Sequence, residues 1–163
     1  MNGWNQRPDE IAYLYNPAYV GRMLHSLISS YKTIKPKGIP FELIFIAAPL
    51  ILLKSYRESL PKSTRTYLHN WIQDNADLKI EYNLAVKEVM PFIKESLIFL
   101  LHRDMLEINE FGYLVLGSNK LKRTQKKDLP EVTNSINKAD LVGKWFAKAG
   151  EVETIYALWG IKP

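Results

Sequence analysis

The sequence predicts a mainly α-helical fold that carries one β-hairpin. Three observations predict it. Apolar residues recur at helical spacing through most of residues 16–104. Between about 105 and 117 the period drops to two on either side of Gly112, which is a hairpin pattern. A lysine-rich stretch then gives way to a second helical pattern that stops near residue 160. The layout expected is a single domain over 1–163: core helices at about 16–104, the hairpin at about 105–117, a basic loop at about 118–131 and a C-terminal helical hairpin at about 132–160. A helix that runs directly into a hairpin also ends a winged helix-turn-helix, with the hairpin as wing. A winged-helix-like arrangement is therefore the finer expectation.

The elements follow in order. In "YNPAYVGRMLHSLISSYKTI", Asn16 can cap and Pro17 suits the first helical position. Val20, Leu24, Leu27, Ile28 and Tyr31 then line one face, and "KPKGIP" reads as a loop. In "IPFELIFIAAPLILLKSY", twelve of the thirteen residues over 41–53 are apolar. The run is too short for a bilayer, which needs about 20 residues, and Glu42, Lys54 and Arg57 flank it. It reads as a buried helix kinked or restarted at Pro49, whose ring cannot continue the helical hydrogen bonds. "PKSTRTYLHNWIQDN" suggests a short helix capped by Ser63 or Thr64, with Tyr67, Leu68, Trp71 and Ile72 inward. Asn75 and Asp77 are candidate caps for the next segment. That segment holds its period through Val86, Val89, Phe92, Ile93, Leu97, Leu100 and Leu101, and Pro91 divides it into two consecutive helices. "MLEIN" and "YLVLG" around "EFG" form the hairpin. After the loop, Ile136, Leu141, Val142, Trp145, Phe146 and Ala149 face inward, Gly150 ends that helix, and Gly160 ends the next.

Composition bounds the chemistry. The 163 residues, 47% hydrophobic and 24% charged, suit one globular domain. The absence of cysteine excludes disulfides, thiol nucleophiles and Cys-based metal sites, and fits a cytoplasmic setting. The opening "MNGWNQRPDE" is polar and does not read as a signal peptide. His25, His69 and His102 fall in no metal-binding spacing, and no phosphate-binding glycine loop or serine elbow is present. No catalytic residue, metal ligand or cofactor site is expected. An enzyme such as a nuclease thus has no supporting motif.

The net charge of +5 permits contact with nucleic acid. Lys120, Lys122, Arg123, Lys126 and Lys127 form the one concentrated basic cluster, placed where it could follow a DNA backbone beside a wing. The helix before the hairpin, "FIKESLIFLLHRD", is too apolar to read base edges well. The candidate partner contacts are Trp4 and Arg7, in the polar N-terminal segment, and Lys54, Tyr56 and Arg57, at the end of the apolar run.

Three collinear blocks carry a resemblance. They are "WNQRPDEIAYLYNPAYVGRML", "IPFELIFIAAPLILLKSYRESLP" and "LVGKWFAKAGEVETIYALWGIKP". Together the chain resembles the middle component of bacterial three-component ABC systems, which include those called Lamassu. The resemblance implies a small subunit acting with an ABC ATPase of the SMC or Rad50 kind and a separate effector, often a nuclease, in anti-phage or anti-plasmid defence. It implies an adaptor with no catalytic residue to carry over, and double-stranded DNA met through the complex. The rival from the residues alone is a winged-helix transcriptional regulator.

Overall fold

A computed structural model of the protein describes residues 8–122, 125 and 127–161. In chain order the elements are α1 (Asp9–Leu14), α2 (Pro17–Lys32), β1 (Ile39–Pro40), α3 (Phe41–Ala47), α4 (Pro49–Leu52), α5 (Lys54–Ser59), α6 (Leu68–Asp74), α7 (Ala76–Leu101), β2 (Leu106–Ile108), β3 (Tyr113–Leu116), α8 (Pro130–Lys148) and α9 (Val152–Trp159). The fold is mainly helical, with a small antiparallel sheet.

Helix α2 is the hub and packs most extensively on α8 and then on α7. Its start is as the sequence expects: Asn16 Oδ1 accepts from the Ala18 amide at 2.8 Å, and Pro17 fills the first position. All five expected inward residues, from Val20 to Tyr31, are buried. Gly143 of α8 lets the two helices meet closely, because a Cβ there would run into the Leu27 carbonyl and Ser30 Oγ.

The apolar run folds as α3, α4 and α5, and every residue over 43–51 is buried. Helix restarts at Pro49, as expected, but the chain breaks again at Leu53, which is extended at φ −88° and ψ 122°. That second break frees carbonyls at the end of α4. Arg57 Nη1 takes two of them, donating to Ile51 O at 2.8 Å and Leu52 O at 3.4 Å. Among the described residues no helix is long and apolar enough to cross a membrane.

Several expectations need correction. Helix α6 begins at Leu68 with no side-chain cap, because Ser63 instead accepts from the Arg65 amide in a local turn; Tyr67 stays exposed and stacks on His69. Asn75 occupies the cap position of α7 but donates its amide back to Trp71 O, so it gives no side-chain cap. Pro91 does not divide α7, which runs unbroken for 26 residues. Pro91 sits on the solvent-bordering side, so the Lys87 carbonyl that loses its donor is not trapped in the core. The hairpin does not stand alone: β1 joins it in the order β1-β3-β2, with Ile39 opposite Leu114 and Leu106 opposite Leu116. A two-residue edge strand containing Pro40 leaves almost no alternation to read.

Helices α8 and α9 follow one another across Gly150, at φ +119°. They do not form the expected helical hairpin: α9 packs on α3 and α6 and has little contact along α8. The aromatic residues explain this. Trp159 stacks on Tyr82 with ring centroids 3.8 Å apart and meets Trp71 edge-on, while the Tyr156 hydroxyl donates to Glu42 O at 2.9 Å. Trp145 joins the cluster against Trp71 and donates to Thr66 O at 2.7 Å. The short helix α1, not foreseen from its polar sequence, leads to Tyr15, which stacks on Phe92 of α7 at 4.3 Å.

Candidate functional site

The basic loop lies between β3 and α8 and is tied at both ends. At its start, the Asn119 amide donates to Asp104 O at 2.8 Å and its side-chain amide donates to Arg103 O at 2.9 Å. At its far end, Asp128 receives both terminal nitrogens of Arg22, at 2.9 and 2.6 Å, and also accepts from the Gln125 amide. A two-pronged arginine–carboxylate pair fixes orientation as well as position. The hydrogen bonds from Arg22 hold the Asp128 carboxyl down to about 2. Lys120, Lys122 and Lys127 are exposed. Arg123 and Lys126 lie outside the described residues.

The hairpin beside the loop has a different character. Its tip exposes Ile108 and Phe111 together with Glu107 and Glu110. Asn109 organises the turn by accepting from the Phe111 and Tyr113 amides, both at 3.0 Å, and by donating to Lys37 O. Carboxylates and apolar rings at a tip suit a protein surface and repel a phosphate backbone.

At the corner after α4, Lys54 alone of the three expected contact residues presents its side chain to solvent. Arg57 is 7% exposed, held by the α4 carbonyls and by Glu131 at 3.4 Å. Tyr56 is buried, edge-on to Tyr82, with its hydroxyl donating to Leu78 O. Trp4 and Arg7 lie outside the described residues.

The histidines do not converge. His25 is half-buried, which pushes its imidazole down, while His69 and His102 are exposed. Among the described residues no group of three or more His, Asp or Glu side chains is placed to hold a metal ion. The surface features among the described residues are a pinned basic loop, an acidic and apolar hairpin tip, and the long exposed side of α7. That last surface was missed in the sequence, where the helical period was read only for its buried face.

Residues 4–163 match the family model described as ABC-three component (ABC-3C) system Middle Component 3. The chain belongs to that family. No curated protein and no solved structure matches it. As a Middle Component 3 chain it is one part of a three-component system, a non-catalytic adaptor rather than an enzyme.

Proposed function

We propose that this Middle Component 3 chain, folded as one domain, is the adaptor that bridges an SMC-like ABC ATPase and an effector in a bacterial anti-phage or anti-plasmid defence complex. The family match over residues 4–163 carries the reading. Ile80, Leu84 and Ile98 on α7 and Phe111 at the hairpin tip are exposed apolar side chains that a partner could cover. In this reading Lys54 and the N-terminal residues Trp4 and Arg7 contribute partner contacts, Tyr56 and Arg57 shape the corner from within, and the effector is a nuclease or similar toxic enzyme acting in the cytoplasm. The basic cluster of Lys120, Lys122, Arg123, Lys126 and Lys127 adds contact with DNA backbone once the complex is assembled.

One observation favours a winged-helix reading of the same fold. The order β1-β3-β2, with β1 lying between α2 and the helices that follow, is the arrangement a wing requires. It supports the winged-helix shape without supporting a sequence-reading regulator, because the hairpin tip is acidic. Co-expression with the SMC-like ABC ATPase of its three-component system tests the adaptor reading: a complex that survives gel filtration is expected. A gel shift with random-sequence competitor separates the regulator. Binding that resists the competitor would favour the regulator over the adaptor.

A further inference from the structure

Residues 118–129 hold five basic residues and a single acid, Asp128. In a free loop that carboxylate would pair with the lysines beside it and mask their charge. The fold takes it elsewhere. Arg22 of α2, 106 residues away, donates both terminal nitrogens to Asp128, at 2.9 and 2.6 Å. The two side chains are only 15% and 9% exposed, so solvent screens this pair less than it screens a surface pair.

Two further contacts hold the same loop. Asn119 is tied to Asp104 O through its backbone and to Arg103 O through its side chain. Leu121 helps to line a cavity of about 130 Å³ with Arg22, His25, Ser26, Ser29 and Asp140 of α2 and α8. Its neighbours Lys120 and Lys122 are exposed, as is Lys127 next to the anchored Asp128. Footholds at Asn119, Leu121 and Asp128 thus alternate with exposed lysines. Two consequences follow for an anion that meets the loop. The one carboxylate that would compete for the lysines is already occupied by Arg22. The backbone that carries them is held at several points, so less conformational freedom is lost on binding.

We propose that Arg22 and Asp128 are positioning residues for the basic loop: by locking Asp128 onto α2 they keep Lys120, Lys122 and Lys127 as a preformed, unneutralised surface for the phosphate backbone of double-stranded DNA. This role rests on the DNA contact proposed above for the basic cluster, and it gives control of that contact to a residue of α2.

The probe is a fluorescein-labelled mixed-sequence duplex of about 20 base pairs, titrated with the full chain between about 50 and 200 mM salt. The low-salt end lets the isolated chain report a contact made in the complex. Charge and positioning predict opposite signs. Asp128→Asn adds one net positive charge, so charge alone would tighten binding. Positioning predicts binding weaker by about 5-fold at low salt, and a plot of log Kd against log salt shallower by about 0.9, the loss of one phosphate contact. Arg22→Lys keeps the charge but loses the two-pronged geometry, and it is expected to weaken binding in the same direction. Asp128→Asn is also expected to speed tryptic cleavage at the loop lysines by about 10-fold with unchanged circular dichroism. If circular dichroism shows Asp128→Asn unfolded, Arg22→Lys decides by the same measures. Equal or tighter binding by the folded variant, or unchanged cleavage, would overturn the positioning role and leave the DNA contact standing. A parent chain that ignores the duplex at about 50 mM salt would remove the DNA contact and the positioning role together.

Discussion

Arg57 shows how a single side chain can be read two ways. In the sequence it follows an apolar run and suggests a surface contact. In the fold its guanidinium is buried against the Ile51 and Leu52 carbonyls that the Leu53 break leaves without donors. Its ion pair with Glu131 contributes little, because Glu131 is 70% exposed and the separation is 3.4 Å. Arg57→Ala is therefore expected to cost about 2–3 kcal/mol in urea unfolding, the desolvation of carbonyls left unpaired. Glu131→Gln is expected to change stability by less than about 0.5 kcal/mol. Asp128 makes a pH prediction. Its folded carboxyl is held at about 2 against an ordinary value of 3.8, first by hydrogen bonds from Arg22. A lowered value means that the contribution is complete above the unfolded value and disappears as pH falls through about 2. Asp128→Asn should be less stable than the parent chain at pH 5, and the difference should close as both are titrated toward pH 2. A gap that stays constant over that window would mean the pair does not form. This anchor was invisible in the sequence, where Asp128 is one acid in a run of lysines and its partner is 106 residues away.

At the scale of elements, α7 carries the main lesson. A proline in a helix interior costs about 3 kcal/mol relative to alanine. Read locally, that suffices to end a helix, and the sequence reading divides the segment there. The buried residues on either side, Val86 and Val89 before the proline and Ile93, Leu97 and Leu100 after it, contribute about 1.5–3 kcal/mol each when removed from water. Their sum exceeds the local cost, so the helix runs through. Pro91→Ala is accordingly expected to stabilise the chain by about 1–3 kcal/mol in chemical denaturation; a loss of stability would show that the ring packs more tightly than its place on the solvent-bordering side suggests. The contact of α2 with α8 gives the opposite sign. Gly143→Ala gains about 1 kcal/mol of helix propensity. The added methyl meets the Leu27 backbone, which cannot move without shifting α2. A net loss of about 2 kcal/mol or more is expected, read as a lower melting temperature. What was legible at this scale was the strongly periodic part. The Asn16–Pro17 start, the Pro49 restart, the hairpin turn at Gly112 and the glycine stops at Gly150 and Gly160 all follow local rules. The two-residue β1, the six-residue α1 and the docking of α9 on α3 and α6 depend on distant residues and left no local pattern.

For the whole molecule, three collinear sequence blocks pointed to the family before any geometry, and the match over residues 4–163 bears that out. The chemistry of the surface was less legible. Charge runs stand out in a sequence, so the basic loop was found. An exposed apolar stripe at helical spacing looks the same as a buried one until the other side of the helix is known to face the core. The central claim is that this chain works by holding partners. Co-purification with an SMC-like ABC ATPase of a three-component system, followed by gel filtration with light scattering, tests that claim most directly. The account predicts one stable complex that is weakened when exposed apolar residues of the chain are made acidic. A chain that elutes as a monomer, apart from the ATPase, would contradict it.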